Sequence, residues 1–134
     1  MEVKCVLDTD TLIEFLRGNT KIVNNVAAYL QYHQQLSFAI ISYYELLRGL
    51  SYIKATSQLQ SLEQLAMDSE ILPLNTDTVY IAADIYATLR HQGKLIPDAD
   101  LFIAATALAH DCVLVTNNTT HFERIPNLRL GNWK

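Results

Sequence analysis

The sequence has little that would staple, kink or loosen a chain: two cysteines, three prolines and four glycines among 134 residues. Cys5 and Cys112 both lie in apolar runs, too few for a disulfide scaffold. They read as small buried hydrophobes in a protein expected in a reducing cytosol. Charge is sparse at 18% and not basic, with ten Lys and Arg against fourteen Asp and Glu, a net charge of −4. That excludes a chain coating nucleic acid through net charge. It does not exclude an enzyme that cuts nucleic acid at a metal site. No apolar run approaches the roughly 18 residues of a membrane span, and no basic-then-apolar leader is seen, so no membrane association is expected. With half the residues apolar, disorder is excluded. The length suits one domain over 1–134, able to bury about two-thirds of its unfolded surface.

Periodicity orders the rest. Val3–Asp8 is strand-like and ends on Asp8-Thr9-Asp10-Thr11, where Thr11-x-x-Glu14 looks like a capping box and Gly18 a stop. A helix over Lys21–Tyr32 follows, with Ile22, Val26, Tyr29 and Leu30 on one side, and then a strand over Leu36–Ile41. Ser42-x-x-Glu45 opens a third helix that Arg48-Gly49 closes or bends. Ser57–Met67 is helical and Ile71–Leu74 strand-like. The next helix, capped by Asn75 or Thr76 and ended by Gly93, has an apolar face of Val79, Ala82, Ala83, Tyr86 and Leu89. Pro97 starts a helix whose body, Leu101–Leu108, is apolar on nearly every side and therefore central. Val113–Val115 and Leu128–Leu130 are the last strands. Strands alternating with helices imply an α/β fold, a three-layer α/β/α sandwich around a mostly parallel sheet of four or five strands. Ligands of such sheets bind beyond the carboxyl ends of the strands.

Taken singly, the acids have structural readings. Asp8 and Asp10 suit helix caps, and Asp10 keeps that reading. Glu45 completes a capping box, and Asp98 and Asp100 complement a helix dipole. Asn118 suits a cap for a short turn over Thr119–Glu123. Jointly, Asp8, Glu45, Asp98 and Asp100, with Thr116 and Asn118, come from different connections yet map to one sheet edge. Carboxylates converging there repel one another unless protonated or neutralised. Hard oxygen donors without nearby Cys or paired His point to Mg²⁺ or Mn²⁺. Such an ion produces a nucleophilic water and offsets charge on a phosphoryl group, so phosphodiester hydrolysis is the favoured reaction class.

Val6-Leu7-Asp8-Thr9-Asp10, Ile41-Ser42-x-x-Glu45-Leu46-x-x-Gly49, Ile96-Pro97-Asp98-x-Asp100-x-x-Ile103-Ala104-Ala105 and Leu114-Val115-Thr116-Asn117-Asn118-x-x-x-Phe122 occur in order. Together with Glu123-Arg124-Ile125-Pro126-Asn127-Leu128…Trp133, the chain resembles PIN-domain ribonucleases, specifically VapC-type toxins, over essentially its whole length. The resemblance implies that Asp8, Glu45 and Asp100 hold Mg²⁺ or Mn²⁺, with Asp8 the principal ligand, and that Asp98 is an additional acid. It implies that Thr116 and Asn118 orient a metal water or a carboxylate, and that Asp100, or Asp98 through water, activates the attacking water. Many relatives carry a further acid where this chain has Asn118 or His121. His121 therefore reads either as a phosphate or proton-transfer group or as an exposed turn histidine.

No base occurs between Lys54 and Arg90, an interval holding Glu63, Asp68, Glu70, Asp77 and Asp84. Phosphate contacts are therefore sought among Arg17, Lys21, Arg48, Arg90 and Lys94, with Arg48 favoured because it follows Glu45 by one helical turn. Phe15, Leu16, Tyr43, Tyr44, Leu47, Leu50 and Tyr52 exceed what one buried face needs. The resemblance implies a VapB-like antitoxin there, homodimers, and operator DNA engaged only through the antitoxin. Two other readings compete: a haloacid-dehalogenase-like phosphatase using Asp8 as nucleophile, on the Asp8-x-Asp10-x-Thr opening, and a non-catalytic PIN binding module. Setting aside Asp8, Glu45, Asp98 and Asp100 leaves ten acids against ten bases. The net charge then reads as one metal-demanding pocket on a balanced protein.

Overall fold

The computed structural model describes residues 3–134. Five strands are present among them: β1 (Cys5–Leu7), β2 (Ser37–Ala39), β3 (Glu70–Leu72), β4 (Val113–Val115) and β5 (Leu130–Gly131). All pairings are parallel, in two ladders ordered β1-β4-β5 and β2-β3, with Cys5, Val6 and Leu7 opposite Val113, Leu114 and Val115. The ladders meet where β1 lies against β2. At the opposite end from the acids, Lys4 pairs with Glu70 at 2.7 Å and Ser37 donates to the same Glu70 oxygen at 2.9 Å. Those two donors hold the Glu70 carboxyl below its ordinary range.

The alternation of side chains along each strand divides the core in two. Val6 and Leu114 face a cluster built with α5 (Thr76–His91), α6 (Asp98–Ala109) and α7 (Thr119–Phe122). Cys5, Leu7 and Val115 face the other, built with α1 (Thr9–Leu16), α2 (Thr20–Tyr29), α3 (Ile40–Tyr52) and α4 (Thr56–Met67). Helices on both faces of parallel strands make the expected three-layer α/β/α architecture. Buried on both faces, the strands need no polar alternation, which is why they read as continuous apolar runs. The α6 body buries Leu101 and Ile103–Ala107, as its all-round apolarity requires. Both cysteines are buried, and burial pushes the Cys5 thiol up to about 11.

Several boundaries differ from the sequence reading. Helix α1 begins at Thr9 with Asp8 as its N-cap, so Thr11 lies inside the first turn, where its hydroxyl meets the Val115 carbonyl at 3.3 Å. Helix α3 begins at Ile40 and has no side-chain cap; Ser42 is buried within it and caps nothing. Gly49 does not stop α3, which continues to Tyr52. Packing of Leu46, Leu47 and Leu50 outweighs the roughly 1 kcal/mol that a helical glycine costs. Leu30 is exposed, and β5 starts at Leu130 rather than Leu128. The buried stripe of α5 is Thr78, Ala82, Ile85 and Leu89, so Val79, Ala83 and Tyr86 are left outside.

Candidate active site

Strand ends and helix starts meet at one edge. Asp8 follows β1 and its N–H donates to the Val115 carbonyl at 2.9 Å, continuing the β1–β4 ladder. Its carboxylate is thereby fixed between two chains and is only 5% exposed. Oδ1 accepts the Thr9 N–H at 2.7 Å, and Oδ2 accepts the Thr116 hydroxyl at 2.7 Å. The structural and functional readings of Asp8 therefore coexist: one oxygen caps α1 while the other faces the end of β4.

From Asp8 the hydrogen bonds run outward in both directions. The Thr9 hydroxyl donates to Glu45 Oε1 at 2.7 Å, which turns Glu45 of α3 toward the start of α1. The Thr116 oxygen accepts the Asn118 N–H at 2.9 Å. The Asn118 amide stands 3.0 Å from His121 Nδ1, and the same Nδ1 stands 2.8 Å from Asp100 Oδ2. Glu45, Asp8 and Asp100, from α3, the β1 end and α6, thus belong to one connected network. Asp10 joins it, accepting the Asn117 N–H at 3.0 Å and lying 3.5 Å from the Thr116 hydroxyl. By sequence Asp10 is a helix-entry acid; in the fold its carboxylate also binds the loop after β4. The available signal was the Asp8-x-Asp10 spacing across a helix start, which aims a second carboxylate at the β4 loop.

Burial removes water from Asp8 and pushes its carboxyl up to about 7. The Asp10 charge adds to this and Asp100 contributes further, against the stabilising hydrogen bonds from Thr116 and Thr9. The two neighbouring carboxylates make this a place where a cation would be favoured. Two buried oxygens nearby in sequence also lack partners: Asn117 Oδ1, whose main chain binds Asp10, and Ser42 Oγ, three residues before Glu45. The donor set is therefore hard and oxygen-rich, which fits Mg²⁺ or Mn²⁺ in kind. Among the described residues, no three His, Cys, Asp or Glu side chains are already arranged to hold an ion. Thr9, Asn117 and His121 instead engage Glu45, Asp10 and Asp100.

A PIN domain model matches residues 5–128. Ribonuclease VapC2 of Rickettsia felis is 31% identical over 129 residues, covering 96% of each chain, and ribonuclease VapC1 of Haemophilus influenzae (strain R2866) is 30% identical with the same coverage. The chain belongs to the VapC family of PIN-domain proteins. Its fold superposes on that of VapBC2 from Rickettsia felis bound to a promoter DNA fragment, with TM-score 0.86, 30% identity and coverage of 97% of this chain and 98% of the other. DNA-bound VapBC from Salmonella typhimurium gives 0.88 at 27% identity, covering 98% and 99%.

In this PIN domain the network gathers Asp8, Glu45, Asp100, Thr116 and Asn118. Asp98 lies outside it. It is exposed at the start of α6 and lines a cleft with Val79, Ala83, Tyr86 and Phe102. Arg48 stays beside Glu45, its guanidinium 3.8 Å from Oε2 and 5.2 Å from the ring centre of the exposed Tyr44. Arg17 pairs loosely with Glu14 at 4.0 Å and shares a groove with Glu45. His121 is not a free turn histidine but a half-buried partner of Asp100. The phosphatase reading is displaced by the PIN domain match over residues 5–128 and by the VapC relatives.

Proposed function

We propose that this VapC-family protein is a metal-dependent endoribonuclease, the toxin of a toxin–antitoxin pair, hydrolysing RNA phosphodiesters at the acidic edge. The observation that carries the reading is the network running from Glu45 through Thr9, Asp8, Thr116, Asn118 and His121 to Asp100. Such a chain of carboxylates, pre-oriented by hydroxyls and main chain, suits charge-demanding phosphoryl chemistry. Asp8, Glu45 and Asp100 would hold Mg²⁺ or Mn²⁺, which when bound supplies an acidified water and offsets charge on the phosphoryl oxygens.

The chain's own residues supply the rest. Thr9 and Thr116 keep Asp8 and Glu45 in fixed orientations, so little reorganisation accompanies reaction. Asp100, or Asp98 through a water, would receive the proton of the attacking water, and the leaving oxygen would take one from solvent. Arg48 and Arg17, beside Glu45, bind RNA phosphates locally and so overcome the net negative charge. Tyr44, 57% exposed beneath Arg48, adds an aromatic face suited to a base.

A VapB-like antitoxin is the partner this reading implies. Two apolar grooves adjoin at Leu16. One of about 370 Å³ is lined by Phe15, Leu30 and Leu65; the other, of about 310 Å³, is lined by Ile13, Leu50 and Ile53 together with Arg17 and Glu45. An antitoxin segment seated there reaches the acids. Operator DNA would be engaged through the antitoxin. The uncovered stripe of α5 fits a homodimer contact.

The test is purified protein on total RNA with Mg²⁺ or Mn²⁺, followed by sequencing of the cleaved ends. Specific cleavage by the wild type and none by Asp8→Asn or Asp100→Asn is expected. An inert wild type, or variants retaining full metal-dependent activity, overturns the reading.

A further inference from the structure

We propose that His121 is the positioning residue for Asp100, and that Asn118 completes the clamp by presenting its amide oxygen to the imidazole. This rests on the ribonuclease reading for its effect on rate, and on geometry for the clamp itself. Asp100 sits in the first turn of α6, and His121 Nδ1 is 2.8 Å from its Oδ2. The imidazole comes from α7, the short helix after β4. The Asp100 carboxylate offers only acceptors, so the hydrogen in this contact belongs to Nδ1. This holds whether the ring is neutral or charged, because only the state of Nε2 differs.

That assignment constrains Asn118. Its amide stands 3.0 Å from the same Nδ1. An amide N–H and a ring N–H cannot donate to one another, whereas Oδ1 in that place accepts the ring hydrogen jointly with Asp100. Turned this way, Asn118 keeps both amide hydrogens for another acceptor while its main-chain N–H holds Thr116 at 2.9 Å. The result is a donor set into a cluster of acceptors. Asp10 and Asp8 face hydroxyl and main-chain donors, but for Asp100 the bonded donor is His121. The ring occupies Oδ2 and leaves Oδ1 for a ligand.

The role is exerted through Asp100 rather than on RNA, so it is read in the ring's own signature and in kcat. In ¹⁵N-labelled protein, His121 should show Nδ1–H with Nε2 as the other nitrogen, and Asp100→Ala should alter the Nδ1 signal. His121→Ala should lower kcat about 10–100-fold with KM for RNA unchanged, and weaken Mn²⁺ binding by calorimetry by a similar order. His121→Asn, which places an amide nitrogen where Nδ1 stands, should restore most of both. A ring spectrum indifferent to Asp100→Ala overturns the clamp. So does a His121→Ala protein with wild-type kcat and Mn²⁺ affinity, or one changed in KM alone, which would make His121 a phosphate contact. If the wild type cleaves no RNA, the ribonuclease reading fails, while the ring spectrum and Mn²⁺ titration still decide the clamp.

Discussion

Thr9 touches Asp8 and Glu45 at once: its N–H lies 2.7 Å from Asp8 Oδ1 and its hydroxyl 2.7 Å from Glu45 Oε1. The main-chain bond belongs to the α1 cap and survives any side chain. The hydroxyl bond is what turns Glu45 into the pocket. Thr9→Val keeps the β-branched shape and removes only the donor, so the fold should persist at a cost of about 1 kcal/mol. RNA cleavage should fall roughly 10–100-fold, the usual loss when a group that orients a metal-site acid is removed. Circular dichroism checks the first expectation and initial rates the second; unchanged rates would remove Thr9 from the site.

Asp8 makes the metal-free protein less stable as pH rises. Its carboxyl is raised in the fold from an ordinary 3.8 to about 7, chiefly by burial. The folded protein therefore binds a proton that the unfolded chain releases. Stability from this group is fully present below about pH 4 and is lost as pH climbs through about 7. The loss is on the order of 2–4 kcal/mol. Asp8→Asn removes that dependence without changing shape, since the amide oxygen can take the Thr9 N–H and the Thr116 hydroxyl can reverse. In EDTA, the difference in Tm between variant and wild type should grow from pH 5 to pH 8 in favour of the variant. Mn²⁺ should stabilise the wild type most at pH 8 and the variant hardly at all. Parallel pH curves for the two proteins would show that Asp8 carries no buried charge.

Much of this site was legible because strand ends and helix starts are marked by polar residues in an otherwise apolar sequence. Asp8, Thr116 and Glu45 each follow a buried strand closely enough that placing the strand places the residue. What failed was the meaning of local patterns. Thr11-x-x-Glu14 and Ser42-x-x-Glu45 match capping boxes, yet Asp8 and the chain turn at Ala39 start those helices earlier. Tertiary burial of Ser42 and Glu45's bond to Thr9 outrank the local signal. Asp10 and His121 were undervalued for the opposite reason. Their partners, Asn117 and Asp100, are distant in sequence, and no local rule reports a contact across 107 or 21 residues. The α5 face was misplaced because Thr78 is buried, its hydroxyl spent on Asn75 at 2.9 Å, while Val79 and Tyr86 are apolar yet uncovered.

Gly49 lies mid-helix in α3, exposed, with open space where a Cβ would stand. Gly49→Ala should therefore stabilise the protein by about 0.5–1 kcal/mol, by restricting the unfolded chain and favouring helix. Gly49 also lines the groove that Glu45 lines. The added methyl should weaken binding of a groove-filling antitoxin while leaving RNA cleavage intact. A chemical denaturation series gives the first quantity and a pull-down with the co-expressed antitoxin the second. A destabilised variant would mean that α3 bends at this point in solution.

Arg48 reaches past Glu45 into solvent, stacked over Tyr44. On the ribonuclease reading a cation so placed would contact an RNA phosphate, and each such contact on single strands adds about 0.7 to the slope of log affinity against log salt. Arg48→Ala should raise KM several-fold and flatten that slope by about this amount, with kcat little changed. An unaltered slope would move the RNA path off α3.

Val79 is 47% and Tyr86 36% exposed on the outer stripe of α5, beside a cleft of about 270 Å³ that Ala83 and Phe102 also line. Apolar side chains aligned along one helix face, four and three residues apart, form a continuous surface, and covering it contributes about 25 cal/mol per Å². A second copy of the chain can bury this stripe against its own by two-fold symmetry, since such an interface uses the same patch twice. The double substitution Val79→Glu and Tyr86→Glu places like charges opposite one another across that axis. It leaves the buried stripe of Ala82, Ile85 and Leu89 untouched. Light scattering should therefore report a dimer for the wild type and a monomer for the variant, with equal helical content by circular dichroism. A variant that remains dimeric would locate self-association on another face.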